Sequence, residues 1–165
     1  MNGGRDMKPE LQQKLYEKYP KIFVQKDLPM SQTAMCWGID CGDGWYWLLD
    51  QLCGAIQSYC DSKNEGIRIR NKAREKGEDV YGGKEPEEEW QVETVQVKEK
   101  FAGLRFYINS GDDEVYGMIR LAEHMSYNIC ENCGTLENVK TRGKGWIFTL
   151  CPKCDKERTK EKDES

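Results

Sequence analysis

The sequence predicts an α+β protein: a small mixed helix and β-hairpin domain followed by a cysteine-bounded ribbon at its C-terminal end. Three observations carry this. Apolar residues recur at helical spacing from Trp45 to Tyr59, they alternate from Leu104 to Ile108, and four cysteines stand as two CxxC pairs near the end.

Taken in order, Lys8-Pro9-Glu10 puts a proline in a first helical turn, where no partner for its N–H is needed, and Leu11 and Leu15 follow at i,i+4. The spacing predicts a helix to about Lys18, stopped by Tyr19-Pro20. Ile22, Phe23 and Val24 read as a brief strand or a docked extended segment. Gly42-Asp43-Gly44 marks a tight turn with Asp43 as the expected N-cap. Behind it Trp45, Leu48, Leu49, Leu52, Ile56 and Tyr59 form the stripe of an amphipathic helix over about residues 44 to 61. Gly54 costs that helix about 1 kcal/mol against Ala, which points to close packing there.

Residues 61 to 89 lose the pattern. Arg68, Arg70, Lys72, Arg74 and Lys76 give way to Glu85, Glu87, Glu88 and Glu89 around Gly82-Gly83. The expectation is a helix that frays into a mobile charged insertion over 62–88. From Trp90 the period becomes two, with Val95 and Val97 on one side; later Leu104, Phe106 and Ile108 alternate with Arg105, Tyr107 and Asn109. Lys100-Phe101-Ala102-Gly103 between the runs is expected to be a hairpin turn, with Gly103 supplying a positive φ. Ser110-Gly111-Asp112-Asp113 starts a second helix, with Val115, Met118, Ile119, Ala122, Ser126 and Ile129 on one face, running into Cys130. These readings bound an α+β domain at 8–129, a ribbon at 130–155 and a disordered tail at 156–165.

Cys130-Glu131-Asn132-Cys133-Gly134 and Cys151-Pro152-Lys153-Cys154 are two knuckles. A two-residue spacing lets both sulfurs of a knuckle face one centre, and Trp146-Ile147-Phe148-Thr149-Leu150 reads as the strand returning to the second. Cys130, Cys133, Cys151 and Cys154 are therefore expected to hold one structural Zn²⁺ tetrahedrally. Cys36, Cys41, Cys53 and Cys60 have irregular spacings. Cys53 and Cys60 lie about 10 Å apart along a helix, so buried thiols are the expectation there.

The formal net charge of −4 argues against a phosphate-wrapping protein and towards a basic protein surface or a small ligand. The Arg68–Lys76 block and the ribbon are the candidates for a nucleic-acid regulator. No apolar run is long enough to span a bilayer, and Met1-Asn2-Gly3-Gly4-Arg5 lacks a signal-peptide core, which leads to a cytoplasmic expectation. For catalysis the sequence offers Cys41 before a helix start and the one histidine, His124, a weak pair for a cysteine nucleophile. For binding it offers Trp37, Tyr46 and Trp47, more aromatic surface than one core stripe absorbs, with Arg105 and Tyr107 as polar neighbours.

Ile39-Asp40-Cys41-Gly42-Asp43-Gly44-Trp45-Tyr46, Val97-Lys98-Glu99-Lys100-Phe101-Ala102-Gly103-Leu104-Arg105-Phe106-Tyr107 and the first knuckle together resemble a family of small uncharacterised proteins of tailed bacteriophages and prophages. Members more often carry Gly where this chain has Ala102; a positive φ there would cost Ala about 1 kcal/mol or more. The resemblance implies an accessory binding protein acting in the bacterial cytoplasm. It would engage a host factor, a defence protein or a nucleotide signal, to inhibit antiviral defence. An enzyme acting on a signalling nucleotide is the alternative.

Overall fold

The computed structural model describes residues 6–163. Helix α1 (Pro9–Lys18) opens on the expected proline and closes at Tyr19. Ile22 and Phe23 are buried and lead into a short 3-10 turn, Val24–Asp27, so this apolar run is a docked corner; the Ile22 carbonyl accepts the Thr94 N–H. Then come β1 (Ile39–Asp40), α2 (Tyr46–Glu75), β2 (Thr94–Lys100), β3 (Gly103–Ile108) and α3 (Asp113–Ser126). The strands form one sheet in the order β1-β2-β3. β1 lies parallel to β2, with α2 as the crossing connection that such a pair requires, and β3 returns antiparallel.

Helices α2 and α3 pack on one face of this sheet. Ile39, Val97, Leu104 and Phe106 of the sheet share a single apolar core with Trp45, Leu49, Cys53 and Ile56 at and along the start of α2 and with Val115 and Ile119 of α3. Asp112 caps α3 as expected, its Oδ1 accepting the Val115 N–H. β3 is an edge strand, and α3 covers its free edge with side chains. The Leu104 N–H donates to Ser126 Oγ and the Phe106 N–H to Glu123 Oε1, which removes two open pairing sites. Val95 is the extra residue of a bulge between Thr94 and Gln96. The bulge breaks the simple alternation, so Thr94 and Val97 both point inward and Val95 is only half-buried.

The chain departs from the expectations at four further places. Asp43 lies in a 3-10 turn and does not cap α2; its carboxylate accepts the Lys8 N–H and tethers the start of α1. The turn between β2 and β3 puts positive φ on Phe101 (53°) and Ala102 (63°), not on Gly103. Gly103 instead leaves room for the Tyr127 hydroxyl, which would have to move to admit a Cβ there. The tail expected to be disordered is helix α4 (Pro152–Asp163), begun by a proline and braced by an Asp155–Arg158 pair; residues 164 and 165 lie outside the described residues.

The fourth departure is the largest. α2 runs 30 residues, about 45 Å, through the first half of the segment read as an insertion. Two asparagines on it clip the returning chain. Asn64 donates to the Trp90 carbonyl and accepts the Trp90 N–H; Asn71 does the same with Glu87. Seven helical residues rise about 10.5 Å, and three extended residues span about 10 Å, so the two clips match in register. The basic block is spent on the same segment: Arg68 pairs with Glu89, and Arg70 and Arg74 pair with Glu87. As expected, Gly54 marks close packing, since a Cβ on it would sit 3.2 Å from the Tyr19 hydroxyl. Among the described residues no helix is long and apolar enough to cross a membrane.

Candidate metal centre and surrounding surfaces

The four C-terminal cysteines converge. Their sulfurs all lie within 4.8 Å of one another, and no disulfide joins them. The first knuckle closes as the Gly134 N–H donates to the Cys130 carbonyl at 2.8 Å; Gly134 then takes φ 78°, turning the chain so that the Thr135 carbonyl accepts the Cys130 N–H. β4 (Lys140–Arg142) and β5 (Phe148–Leu150) pair antiparallel and deliver the chain to Cys151, and α4 starts at once with Pro152. The second knuckle is thus a strand end and a helix first turn. Asn132 Nδ2 donates to Cys154 Sγ at 3.3 Å, an outer hydrogen bond of the kind that orients a ligand. The Cys154 N–H draws the Cys151 thiol down to about 7. Burial, by contrast, pushes Cys154 up to about 12. A cation among the four is what would let all of them ionise together.

The ribbon has its own small apolar cluster, Cys130, Leu150, Cys151 and Cys154 with Val139 and Phe148, separate from the main core. Hydrogen bonds join the two. The Gly44 N–H donates to the Glu131 carbonyl at 2.7 Å, the Gly42 N–H to Glu131 Oε1, and the Trp45 indole N–H to the Ile129 carbonyl at 2.9 Å. Thr149 adds a second joint: its carbonyl accepts the Glu131 N–H and its hydroxyl donates to the Ala102 carbonyl. Gly42 and Gly44 are obligatory for this approach, since a Cβ on either would strike the backbone of the first knuckle. Sequence reasoning read these glycines only as a turn. Their partners stand almost ninety positions away, and nothing local announces them.

The other predicted residues fall into separate settings. Cys41, Cys53 and Cys60 are buried thiols and Cys36 is half-buried, its Sγ against the Thr33 carbonyl. Burial pushes the Cys41 thiol well above its ordinary value, helped by the negative charge of Glu131, Asp40 and Asp43. His124 is exposed on α3. Trp37 (71% exposed) ends a 3-10 turn, and Trp47 (57% exposed) points out of the first turn of α2, while Tyr46 packs against the core. Arg105 and Tyr107 lie on the outer face of the sheet, with Lys98 and Gln96 as their cross-strand partners, and Arg105 donates to the Leu104 carbonyl and the Tyr127 hydroxyl. Trp47 belongs to the helical layer and Arg105 and Tyr107 to the opposite side of the sheet. No protein-family model, curated protein or solved structure matches the chain.

Proposed function

We propose that this chain is a zinc-stapled binding protein that acts by stoichiometric association with a host-cell component and not by turnover. The closed geometry of the four-cysteine group carries the reading. Cys133 Sγ and Cys151 Sγ lie 3.8 Å apart, and a tetrahedron with Zn–S bonds of about 2.3 Å has edges of about 3.8 Å. Four thiolates fill the coordination sphere of Zn²⁺ and leave no position for water or substrate. Bound there, the ion supplies folding free energy and holds the knuckles, and with them the turn before α2.

The state of Cys41 supports the same reading. Attack requires a thiolate with access to substrate, and this thiol is wholly buried and held in its neutral form. Exposed Trp37 and Trp47 supply the kind of aromatic surface on which association depends. The resemblance to phage proteins favours a partner in the bacterial cytoplasm, where stoichiometric capture of a defence protein or its nucleotide signal would silence it.

Elemental analysis of freshly purified protein should find one zinc per chain; none, or two, would refute the metal assignment. With a partner in hand, inhibition should saturate near one chain per binding site. Cys41→Ser and His124→Ala should then act within a few-fold of the parent. Full effect at a hundredfold molar deficit, lost in Cys41→Ser, would establish an enzyme instead.

A further inference from the structure

Positive charge and exposed aromatic rings coincide at two hairpin tips. Between Asn138 and Leu150 stand Lys140, Arg142 and Lys144 and no acidic residue, in a chain of net charge −4. The tip between β4 and β5 carries Trp146, 72% exposed. The tip between β2 and β3 carries Phe101, 69% exposed, with Lys100 Nζ 5.4 Å from its ring centroid. The acid beside it, Glu99, is turned into the loop, where it accepts the Ala102 N–H. The β2–β3 tip is tied to the second hairpin by the 2.6 Å bond from the hydroxyl of Thr149, on β5, to the Ala102 carbonyl. Trp146 is three residues from that bond and Phe101 is one, so their Cα atoms lie no more than about 23 Å apart even at full extension.

Phe101 is the sharper clue. A two-residue turn with both φ positive is built at little cost by Asn-Gly, whereas a bulky side chain at positive φ is an outlier. The exposed ring adds nothing to the core. Strained residues of this kind concentrate where a side chain is used.

We propose that the two tips form a site for single-stranded nucleic acid, with bases stacking on Trp146 and Phe101 and phosphates meeting Lys140, Lys144 and Lys100. This rests on the reading that the protein works by association, and it adds to the Trp37 and Trp47 surface a second one with its own class of partner. Unpaired bases offer flat faces that any aromatic ring can stack on, and lysines flanking the rings meet the backbone between them. The Arg68–Arg74 block takes no part, because Glu87 and Glu89 hold those guanidinium groups.

The test is fluorescence anisotropy with the full zinc-loaded chain and labelled oligo(dT), oligo(rU) and duplex DNA of about 12 nucleotides, at about 50 and 200 mM salt. The single strands should bind, and their affinity should fall with salt. Trp146→Ala and Phe101→Asn should each weaken binding about tenfold. Asn accepts the left-handed backbone more readily than Phe, so Phe101→Asn should raise the melting temperature while losing affinity, which separates the ring's role from folding. Lys140→Gln with Lys144→Gln should lower the salt slope by about 1.4. Three results would overturn the proposal: no binding of either single strand at the lower salt, tighter binding of the duplex, or unchanged affinity in both aromatic variants. Equal competition by poly-glutamate would overturn it too, since charge alone would then suffice. Any of these leaves the non-catalytic reading standing. Cleavage of the oligonucleotide in the same tubes would remove that reading as well.

Discussion

Replacing Asn64 by Ala tests whether residues 87 to 90 are fixed parts of the fold. Asn64 is buried, and its amide makes two hydrogen bonds to the backbone of Trp90, at 2.8 and 3.0 Å. Each is worth about 0.5–1.5 kcal/mol net, and the partners left behind cost about 1–3 kcal/mol when water cannot reach them. Trp90 is half-buried, so water replaces part of the loss; the expected destabilisation is about 2–3 kcal/mol. Asn71→Ala, at a half-buried position where water can replace lost bonds, should cost about 1 kcal/mol. Urea unfolding at matched metal content measures both, with hydrogen exchange at the Trp90 amide as a local probe. The double variant should lose less than the sum, because freeing one end of the segment already weakens the other clip. A loss under about 0.5 kcal/mol in Asn64→Ala, with the Trp90 amide still protected, would refute the account and restore a loosely attached insertion.

Gly44→Ala should destabilise the fold by about 1–3 kcal/mol or more and, on the proposed metal assignment, speed release of the ion to a chelator, because the added methyl would strike the first knuckle; unchanged melting and release would disprove the joint. Lys63 first, then Tyr59, holds the Asp112 carboxyl down to about 2. Its unfolded value is near 4, so its contribution is complete above about pH 4 and fades as pH falls towards 2. Asp112→Asn should flatten that part of the acid limb in a stability-against-pH series, while Asp112→Ala should also lose about 1 kcal/mol from the missing cap. An acid limb identical to the parent's in Asp112→Asn would refute the assignment.

What was legible in the sequence depended on how local its cause was. Asp112 announced α3 because a cap and its helix are neighbours, and the two CxxC pairs announced their convergence because the spacing itself aims the sulfurs. The stripe from Trp45 to Tyr59 fell into the core as expected. Asn64 and Asn71 fell unnoticed in the stretch read as a fraying helix and mobile insertion, since their use depends on an extended segment more than fifteen residues on. Asp43 had the right identity and place for a cap, but the Lys8 N–H claimed its carboxylate. The bulge at Val95 inverted a two-residue period that nothing in the composition interrupts. Ala102 shows the reverse case, where the turn type overrides residue preference.

The joint between the turn before α2 and the first knuckle also sets an order of events during synthesis. The Trp45 indole waits 84 residues for its acceptor at Ile129, about 4–17 s at ordinary translation rates. The second pair of cysteines follows later still. Throughout that interval the nascent chain carries the apolar stripe of α2 and the thiols of Cys41, Cys53 and Cys60 without the segment that finally encloses its N-terminal end. On the proposed metal assignment, ion capture at Cys151 and Cys154 comes last, and the supply of metal at that moment would govern how much newly made chain completes its folding.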